Sequence, residues 1–148
     1  MMLEVKNLNV FIKASHILRN VSIDIGEKEV VCLIGRNGAG KTTTLKSIMG
    51  FFKPESGSIK FMGKEIIGLS PYEIALMGIG YAPEESEIFP DLTTAENIEI
   101  ATWTRETSRQ PEDRIKLAYS VFPSLERYRL RKGTQISGGE RKMRLVRD

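Results

Sequence analysis

Residues 35–42 combine glycines, a lysine and a hydroxyl at a spacing that suits phosphate binding. Glycines let the backbone turn sharply and bring its N–H groups close to an anion, and the start of a following helix favours negative charge. Lys41 would pair with the β- and γ-phosphates, and the Thr42 hydroxyl with Mg²⁺. The pattern G-x-x-x-x-G-K-[ST] therefore predicts a nucleoside-triphosphate site, with a plain glycine-rich turn as the alternative. Its members are Gly35, Arg36, Asn37, Gly38, Ala39, Gly40, Lys41 and Thr42.

The segments on either side of this loop are those that a phosphate loop needs. Residues 30–34 form an unbroken apolar run, which predicts a strand covered on both faces, as in a parallel sheet. Cys32 lies inside that run, so we expect a small buried side chain there. Beyond the loop, apolar residues from Leu45 to Met49 recur at helical spacing, and Gly50 is placed to end that helix.

A second glycine motif occupies residues 136–140 and contains Ser137, Gly138 and Gly139. It has the spacing of a capping box, which predicts the start of a helix. A hydroxyl, glycine N–H groups and a helix dipole also suit an anion. From the residues alone, both interpretations stay open.

The composition is typical of an ordinary globular protein. The 148 residues are 41% hydrophobic and 28% charged, and their number favours a single domain. One cysteine cannot form an internal disulfide, no apolar run is long enough to cross a membrane, and the N-terminus lacks a signal-peptide layout. Together these features predict a cytoplasmic protein. The 22 basic and 19 acidic residues are interspersed, so we expect no nucleic-acid partner.

Strand signals dominate the first part of the chain and helix signals the second, with a soft boundary near residue 88. Two capping boxes mark helix starts, one at Ser70 and one at Thr93, and the second helix would run to about Trp103. Pro111 opens a further helix. The remaining segments predict strands at 3–12, 21–25 and 79–82, short strands joined by turns over 51–70, and a loop over 133–135.

The order of these motifs resembles that of the ATPase subunits of ATP-binding cassette transporters, and the resemblance covers essentially the whole chain. Within that family the sequence is most similar to the importers of branched-chain amino acids. The resemblance implies an α/β fold: a P-loop NTPase-like parallel sheet core with an N-terminal antiparallel β subdomain and a helical subdomain, the C-terminal part of the core being missing. The phrases that carry the resemblance are residues 38–42, 78–84, 88–93 with 96–97, and 136–140.

On that resemblance, residues 1–148 form a partial ATP-binding domain. Residues 1–88 would be the β-rich subdomain and phosphate-loop core, and residues 89–136 the helical subdomain. Residues 137–148 would be the signature motif and the start of the helix after it.

The resemblance also implies the ligands of the phosphate loop, which are ATP and Mg²⁺. Thr43 would join the loop residues in binding ATP, Thr42 would hold the metal, and Lys41 would serve catalysis. Glu84 stands where the family commonly has Gln, near Mg²⁺ and the attacking water, which makes it a candidate catalytic and metal-binding residue. A solvated acidic loop is the alternative for Glu84.

The family's partners would contact two further segments. Ser137, Gly138 and Gly139 would be the signature motif, which engages the γ-phosphate held by another subunit in a head-to-tail homodimer or heterodimer. Permease subunits would dock on the loop around Glu84. The chain is therefore expected to be peripheral to the cell membrane, at its inner face.

The family stacks adenine on an aromatic residue near the first strand turn, and the aligned position here is Ile12. Either the neighbouring Phe11 turns in to hold the base, or Ile12 gives an apolar contact only. Phe11 as a core residue is a further alternative. The one histidine, His16, precedes the phosphate loop, so it differs from the family's late histidine and is expected to be a surface or strand residue.

The family's apolar strand ending in Asp-Glu, which orients Mg²⁺ and polarises the attacking water, has no counterpart in this sequence. We therefore expect a truncated product, and two functions stay open. One is the ATP-binding subunit of an importer, coupling ATP binding and hydrolysis to the uptake of branched-chain amino acids through a membrane permease. The other is a non-hydrolysing nucleotide-binding or regulatory module. A cassette acting on nucleic acid or ribosomes is a third option, disfavoured because the helical segment at residues 90–132 resembles the transporter arrangement more closely.

Overall fold

The structure, a computed structural model, describes residues 1–83, 88–103 and 110–135. The chain divides into two compact units, Met1–Ile79 and Gly80–Asp148. The division falls somewhat earlier in the chain than the soft boundary that the sequence suggests near residue 88.

A four-stranded antiparallel sheet forms much of the first unit, in the order β2-β1-β3-β4. The strands are β1 (Leu3–Ile12), β2 (Ser15–Ile25), β3 (Ser56–Phe61) and β4 (Lys64–Glu65). Val5 and Leu8 of β1 are both fully buried, although strict alternation would place them on opposite faces. A register shift between them, at Asn7 with a φ of 49°, turns Leu8 back into the core.

Gly57 allows β3 to pass this irregular part of β1. A Cβ on Gly57 would lie 2.7 Å from the carbonyl oxygens of Lys6 and Asn7, and the residue has a φ of 104°. Only glycine can adopt this φ and also leave room for the two carbonyl oxygens without strain. The pairing of β1 with β3 therefore depends on this residue.

Two helices complete the first unit, α1 (Lys41–Ile48) and α2 (Pro71–Leu76). The helix α2 begins with the predicted capping box. The Ser70 hydroxyl oxygen accepts from the Glu73 N–H (3.3 Å), and the Glu73 carboxylate accepts from the Ser70 N–H (2.7 Å). The predicted helix start at Ser70 is thus confirmed, and Ile74 is buried on its inner face.

The apolar run at residues 30–34 is not a strand, so the prediction of a doubly covered core strand is wrong. Val30 is 96% exposed and Ile34 86% exposed. Cys32 is exposed too, so the expectation that it is buried is also wrong. A strand needs a neighbour for its backbone N–H and C=O groups, and the sheet of the described residues ends at β2 and β4. For the same reason residues 79–82 are irregular instead of a strand.

The second unit is helical in its described residues. The helix α3 (Thr94–Trp103) starts at the other predicted capping box, where the Thr93 N–H and hydroxyl donate to the Glu96 carboxylate (2.7 and 2.6 Å). The helix α4 (Pro111–Val121) starts at its predicted proline. Two 3₁₀ helices follow, Pro123–Tyr128 and Gly133–Gln135, the latter where the sequence predicts a loop.

Hydrogen bonds from polar side chains connect the helices of the second unit. The Arg114 guanidinium donates to the carbonyl oxygens of Thr102 (3.1 Å) and Ala101 (3.2 Å), in the last described turn of α3. The Thr94 hydroxyl donates to the Tyr128 carbonyl oxygen (2.6 Å). None of the helices in the described residues is both long and apolar enough to span a membrane.

Candidate nucleotide-binding site

The phosphate loop presents its backbone to solvent. Residues 35–39 are exposed, and the loop turns around a bond from the Ala39 N–H to the Arg36 carbonyl oxygen (3.1 Å). Gly38 and Gly40 have φ values of 81° and 92°, a region that other residues rarely adopt. The loop therefore makes the sharp turn that its glycine spacing predicts.

The helix α1 begins directly after the loop and presents unpaired N–H groups. Its first helical bond runs from the Thr44 N–H to the Gly40 carbonyl oxygen (2.8 Å). The N–H groups of Lys41, Thr42 and Thr43 precede that bond and have no helical acceptor. Together with the positive end of the helix dipole, they favour an anion at this position.

Lys41 folds back over the loop. Its Nζ donates to the carbonyl oxygens of Gly35 (2.7 Å) and Arg36 (2.9 Å). An ammonium group has three N–H bonds, so one donor remains for a ligand while the two carbonyls hold the side chain. The positive charge is thereby fixed against the loop backbone.

The threonines after Lys41 differ in their surroundings. Thr44 is buried, and its hydroxyl donates to the Gly40 carbonyl oxygen (3.0 Å). Thr42 is exposed, and its hydroxyl bonds no other residue in the part of the chain that the structure describes. Within that part, no group of three or more His, Cys, Asp or Glu could hold a metal ion.

Gly40 brings the end of the loop into close contact with β2. A Cβ on Gly40 would lie 2.6 Å from Leu18 Cδ2 and 3.6 Å from the Ile17 carbonyl oxygen. Leu18 is only 2% exposed, so it cannot move aside without disturbing a close-packed core. The loop is thus held beside the stretch of β2 that also contains His16.

A stacked pair of rings lies on the β1–β2 hairpin. Phe11 and His16 are register partners, with ring centroids 4.2 Å apart and planes inclined by 10°. Phe11 is 46% exposed, so the interpretation of it as a core residue is wrong. Ile12 is half-buried. His16 lies in β2, in agreement with the expectation of a strand or surface residue.

Sequence reasoning missed the pairing of His16 with Phe11. It predicted the second strand only from residue 21, whereas β2 begins at Ser15. The apolar pair Ile17 and Leu18 was the signal that could have extended the strand. Without that extension, the two rings had no reason to be neighbours.

Comparisons with known proteins establish the family. The family described as ABC transporter matches residues 18–146. The chain belongs to the ABC transporter family of ATP-binding domains. This ABC domain is 39% identical over 142 residues to the probable branched-chain amino acid transport ATP-binding protein LivF of Archaeoglobus fulgidus, a match that covers 96% of this chain and 60% of that protein. It is 37% identical to the lipopolysaccharide export system ATP-binding protein LptB of Acidithiobacillus ferridurans, over 85% of this chain and 52% of that protein.

Solved structures share the fold of the ABC domain. An ATP-binding subunit of an ABC transporter superposes with a TM-score of 0.84 at 29% identity, covering 98% of this chain and 60% of that one. The bacterial ABC transporter cassette MJ0796, in a dimeric structure, gives 0.82 at 27% identity, covering 98% and 67%. The predicted P-loop NTPase fold class is confirmed. The chain spans about 60% of the length of LivF and about half that of LptB.

Two predicted parts of the ABC site lie outside the described residues. These are Glu84 and the signature motif of Ser137, Gly138 and Gly139. In the first unit, the structure places the phosphate loop with Lys41, Thr42 and Thr43 beside β2, which carries one ring of the aromatic pair.

Proposed function

We propose that this ABC domain binds Mg–ATP at residues 35–42. The observation that carries the proposal is the geometry of the loop. The first N–H groups of α1 are open, and the Gly35 and Arg36 carbonyl oxygens hold the Lys41 ammonium against the loop. Backbone donors at a helix N-terminus, together with a fixed cation, suit a polyphosphate.

Each part of the site would act on a different part of the nucleotide. The loop N–H groups would bind phosphate oxygens, with Thr43 contributing its own, and Lys41 would offset the charge of the β- and γ-phosphates. The exposed Thr42 hydroxyl fits Mg²⁺, which binds oxygen ligands and commonly takes several of them from phosphates and water. Mg²⁺ supplies charge neutralisation at the phosphates. Phe11 would offer its open face to the base.

We infer that the domain is the ATP-binding subunit of an importer, coupling ATP binding and hydrolysis to the uptake of branched-chain amino acids. LivF, at 39% identity, and BraG of Pseudomonas aeruginosa, at 38%, are both named for branched-chain amino acid transport. LptB of Acidithiobacillus ferridurans is named for lipopolysaccharide export and has a similar identity of 37%. A test of the transported solute must therefore compare branched-chain amino acids with lipopolysaccharide.

We further propose that the domain has two kinds of partner. Ser137, Gly138 and Gly139 would contact the γ-phosphate bound to a second ATP-binding subunit, identical or related, and the dimeric structure of the MJ0796 cassette supports such pairing. The loop around Glu84 would contact permease subunits, with Glu84 itself near Mg²⁺. These contacts would place the domain at the cytoplasmic face of the cell membrane.

A nucleotide-binding module without turnover is the second candidate. Residues 1–148 contain no Asp-Glu pair, so this stretch by itself lacks the acidic pair that would serve as general base. Loss of a general base typically lowers a rate by about 10²–10⁴-fold. Such a module would bind ATP at the same loop and release phosphate far more slowly than a complete ATPase.

Calorimetric titration with Mg–ATP tests the binding site. Lys41→Ala removes a charged hydrogen-bond donor worth about 1.5–3 kcal/mol, so we expect affinity to fall about 10- to 100-fold. Lys46→Ala, in the last turn of the same helix, is the matched control and should bind as the parent does. An unchanged affinity in Lys41→Ala would contradict the assignment of the site.

Steady-state phosphate release by the same proteins separates the two candidates. Turnover that disappears in Lys41→Ala supports an ATPase, whereas tight binding without turnover supports the module. If turnover is found, release measured with permease subunits and either leucine or lipopolysaccharide identifies the transported class. Stimulation by lipopolysaccharide alone would contradict import of amino acids.

A further inference from the structure

The ring pair on the β1–β2 hairpin contains a residue that the proposed function does not use. His16 stacks on Phe11 with 4.2 Å between the ring centroids. One face of Phe11 is thus covered by an imidazole, while 46% of the residue stays exposed. A role for His16 rests on the proposed function, in which a base meets Phe11. The base would take the face that His16 leaves open.

A hydrogen bond with a defined direction fixes the His16 ring. Asn9 Oδ1 accepts from the Asn20 backbone N–H (3.1 Å), and Asn9 Nδ2 donates to the Asn7 carbonyl oxygen (2.9 Å). These two backbone partners determine which end of the Asn9 amide is the oxygen. His16 Nε2 lies 3.0 Å from that same oxygen, so it must carry a hydrogen and donate it.

Asn9 is in turn held by both strands that neighbour β1. From its place on β1, its Nδ2 lies 2.9 Å from Asn20 Oδ1 on β2 and 3.1 Å from Ser56 Oγ on β3. A connected series of contacts therefore runs from the sheet through Asn9 and His16 to Phe11. The exposed ring is backed by a rigid support, which an isolated surface side chain would lack.

The strand that carries His16 contacts the end of the phosphate loop at the next residue, Ile17. A Cβ on Gly40 would lie 3.8 Å from Ile17 Cγ2, and successive residues of an extended strand are only ~3.3 Å apart. His16 is therefore next to the residue that touches the end of the loop. A nucleotide with its phosphates on the loop could place its base on the hairpin side.

We propose that His16, fixed by Asn9, is a positioning residue that holds Phe11 flat for a nucleobase. An exposed aromatic side chain samples several rotamers, and ordering it on binding lowers affinity. His16 removes that cost in advance because its ring already covers one face of Phe11. The effect should appear with ligands that carry a base and should vanish with ligands that lack one.

Calorimetry with Mg–ATP and with inorganic tripolyphosphate, which has no base, tests this role on the full chain. Phe11→Ala should weaken ATP binding about 10-fold, and His16→Ala about 3- to 10-fold. His16→Phe restores a stacked ring but not the hydrogen bond to Asn9, so it should recover part of the lost ATP affinity. Tripolyphosphate affinity should be unchanged in all three variants. Tyr72→Ala, which truncates a 64% exposed aromatic residue on α2, is the matched control.

A fluorescent variant gives a second readout that a purely structural role of His16 would not change. With Phe11→Trp, ATP should quench the added tryptophan and tripolyphosphate should not, and adding His16→Ala should reduce the quenching. The proposal is overturned if His16→Ala binds ATP like the parent, or if it weakens tripolyphosphate equally. Failure of the phosphate site itself would appear differently, as Lys41→Ala leaving the affinity for both ligands unchanged.

Discussion

Gly40 of the phosphate loop lies so close to Leu18 of β2 that a Cβ on Gly40 would come within 2.6 Å of Leu18 Cδ2. Leu18 is buried in the core of the antiparallel sheet. The position of the loop is therefore set by the packing of the sheet as well as by its own glycines. A substitution in that core should therefore alter nucleotide binding at the phosphate loop.

Gly40→Ala should destabilise the first unit and weaken nucleotide binding. The added methyl group meets a buried side chain, and a φ of 92° is strained for alanine, which together should cost about 2–4 kcal/mol. Urea unfolding measures the loss. Gly38→Ala is the matched control, because its φ of 81° carries similar strain but no atom lies within 4 Å of the added carbon. Equal losses in the two variants would show that the contact with Leu18 does not matter.

The capping box of α3 should make stability depend on pH. Hydrogen bonds from the Thr93 hydroxyl, and then from its backbone N–H, hold the pKa of Glu96 below its ordinary value. Because the pKa is lower in the folded state, the contribution is present at neutral pH and is lost as the pH falls below 4.5 through the folded pKa. Urea unfolding at a series of pH values should show Glu96→Gln less stable than the parent at neutral pH, with the difference shrinking in acid.

Glu99→Gln provides the control for that experiment. Glu99 lies on the same helix, and its side chain caps nothing in the described residues. Its effect on stability should therefore be small. A pH-independent difference between Glu96→Gln and the parent would show that the charge of Glu96 plays no part in the cap.

Asn97 should be important for the segment that precedes α3. Its Oδ1 accepts from the Phe89 N–H (2.9 Å), and its Nδ2 lies within 3.2 Å of the carbonyl oxygens of Phe89, Leu92 and Thr93. Asn97→Ala leaves these groups without their partner and should cost about 1–3 kcal/mol. Hydrogen exchange at the Phe89 amide should become faster. Asn97→Asp keeps the acceptor for that amide, so an equally large increase in exchange there would contradict this account.

The exposure of the apolar run at residues 30–34 can be tested with a matched pair of substitutions. Val30 is 96% exposed and Val10 is fully buried. Val30→Ala should change the free energy of unfolding by no more than about 0.5 kcal/mol, whereas Val10→Ala should lower it by about 1–3 kcal/mol. A loss at Val30 as large as that at Val10 would mean that the run is packed in this chain.

Local patterns predicted their structures well. The capping boxes at Ser70 and Thr93 form because the groups they join are three residues apart, and no distant segment is needed. The phosphate loop is similar, since glycines at set positions and a helix that starts at Lys41 specify its turn. At residues 30–34 the local pattern predicted burial, but Val30 is exposed. An apolar run can become a buried strand only if another strand lies beside it.

The family, the phosphate loop and the residues that start the helices could all be predicted from sequence, because each depends on neighbours along the chain. The stacking of His16 on Phe11 and the contact of Gly40 with Leu18 became visible only in the folded chain. Those contacts depend on the length and register of the β1–β2 hairpin, which is set by side-chain packing between strands. The exposure of residues 30–34 follows from the same cause, since burial requires a neighbour that local sequence cannot supply.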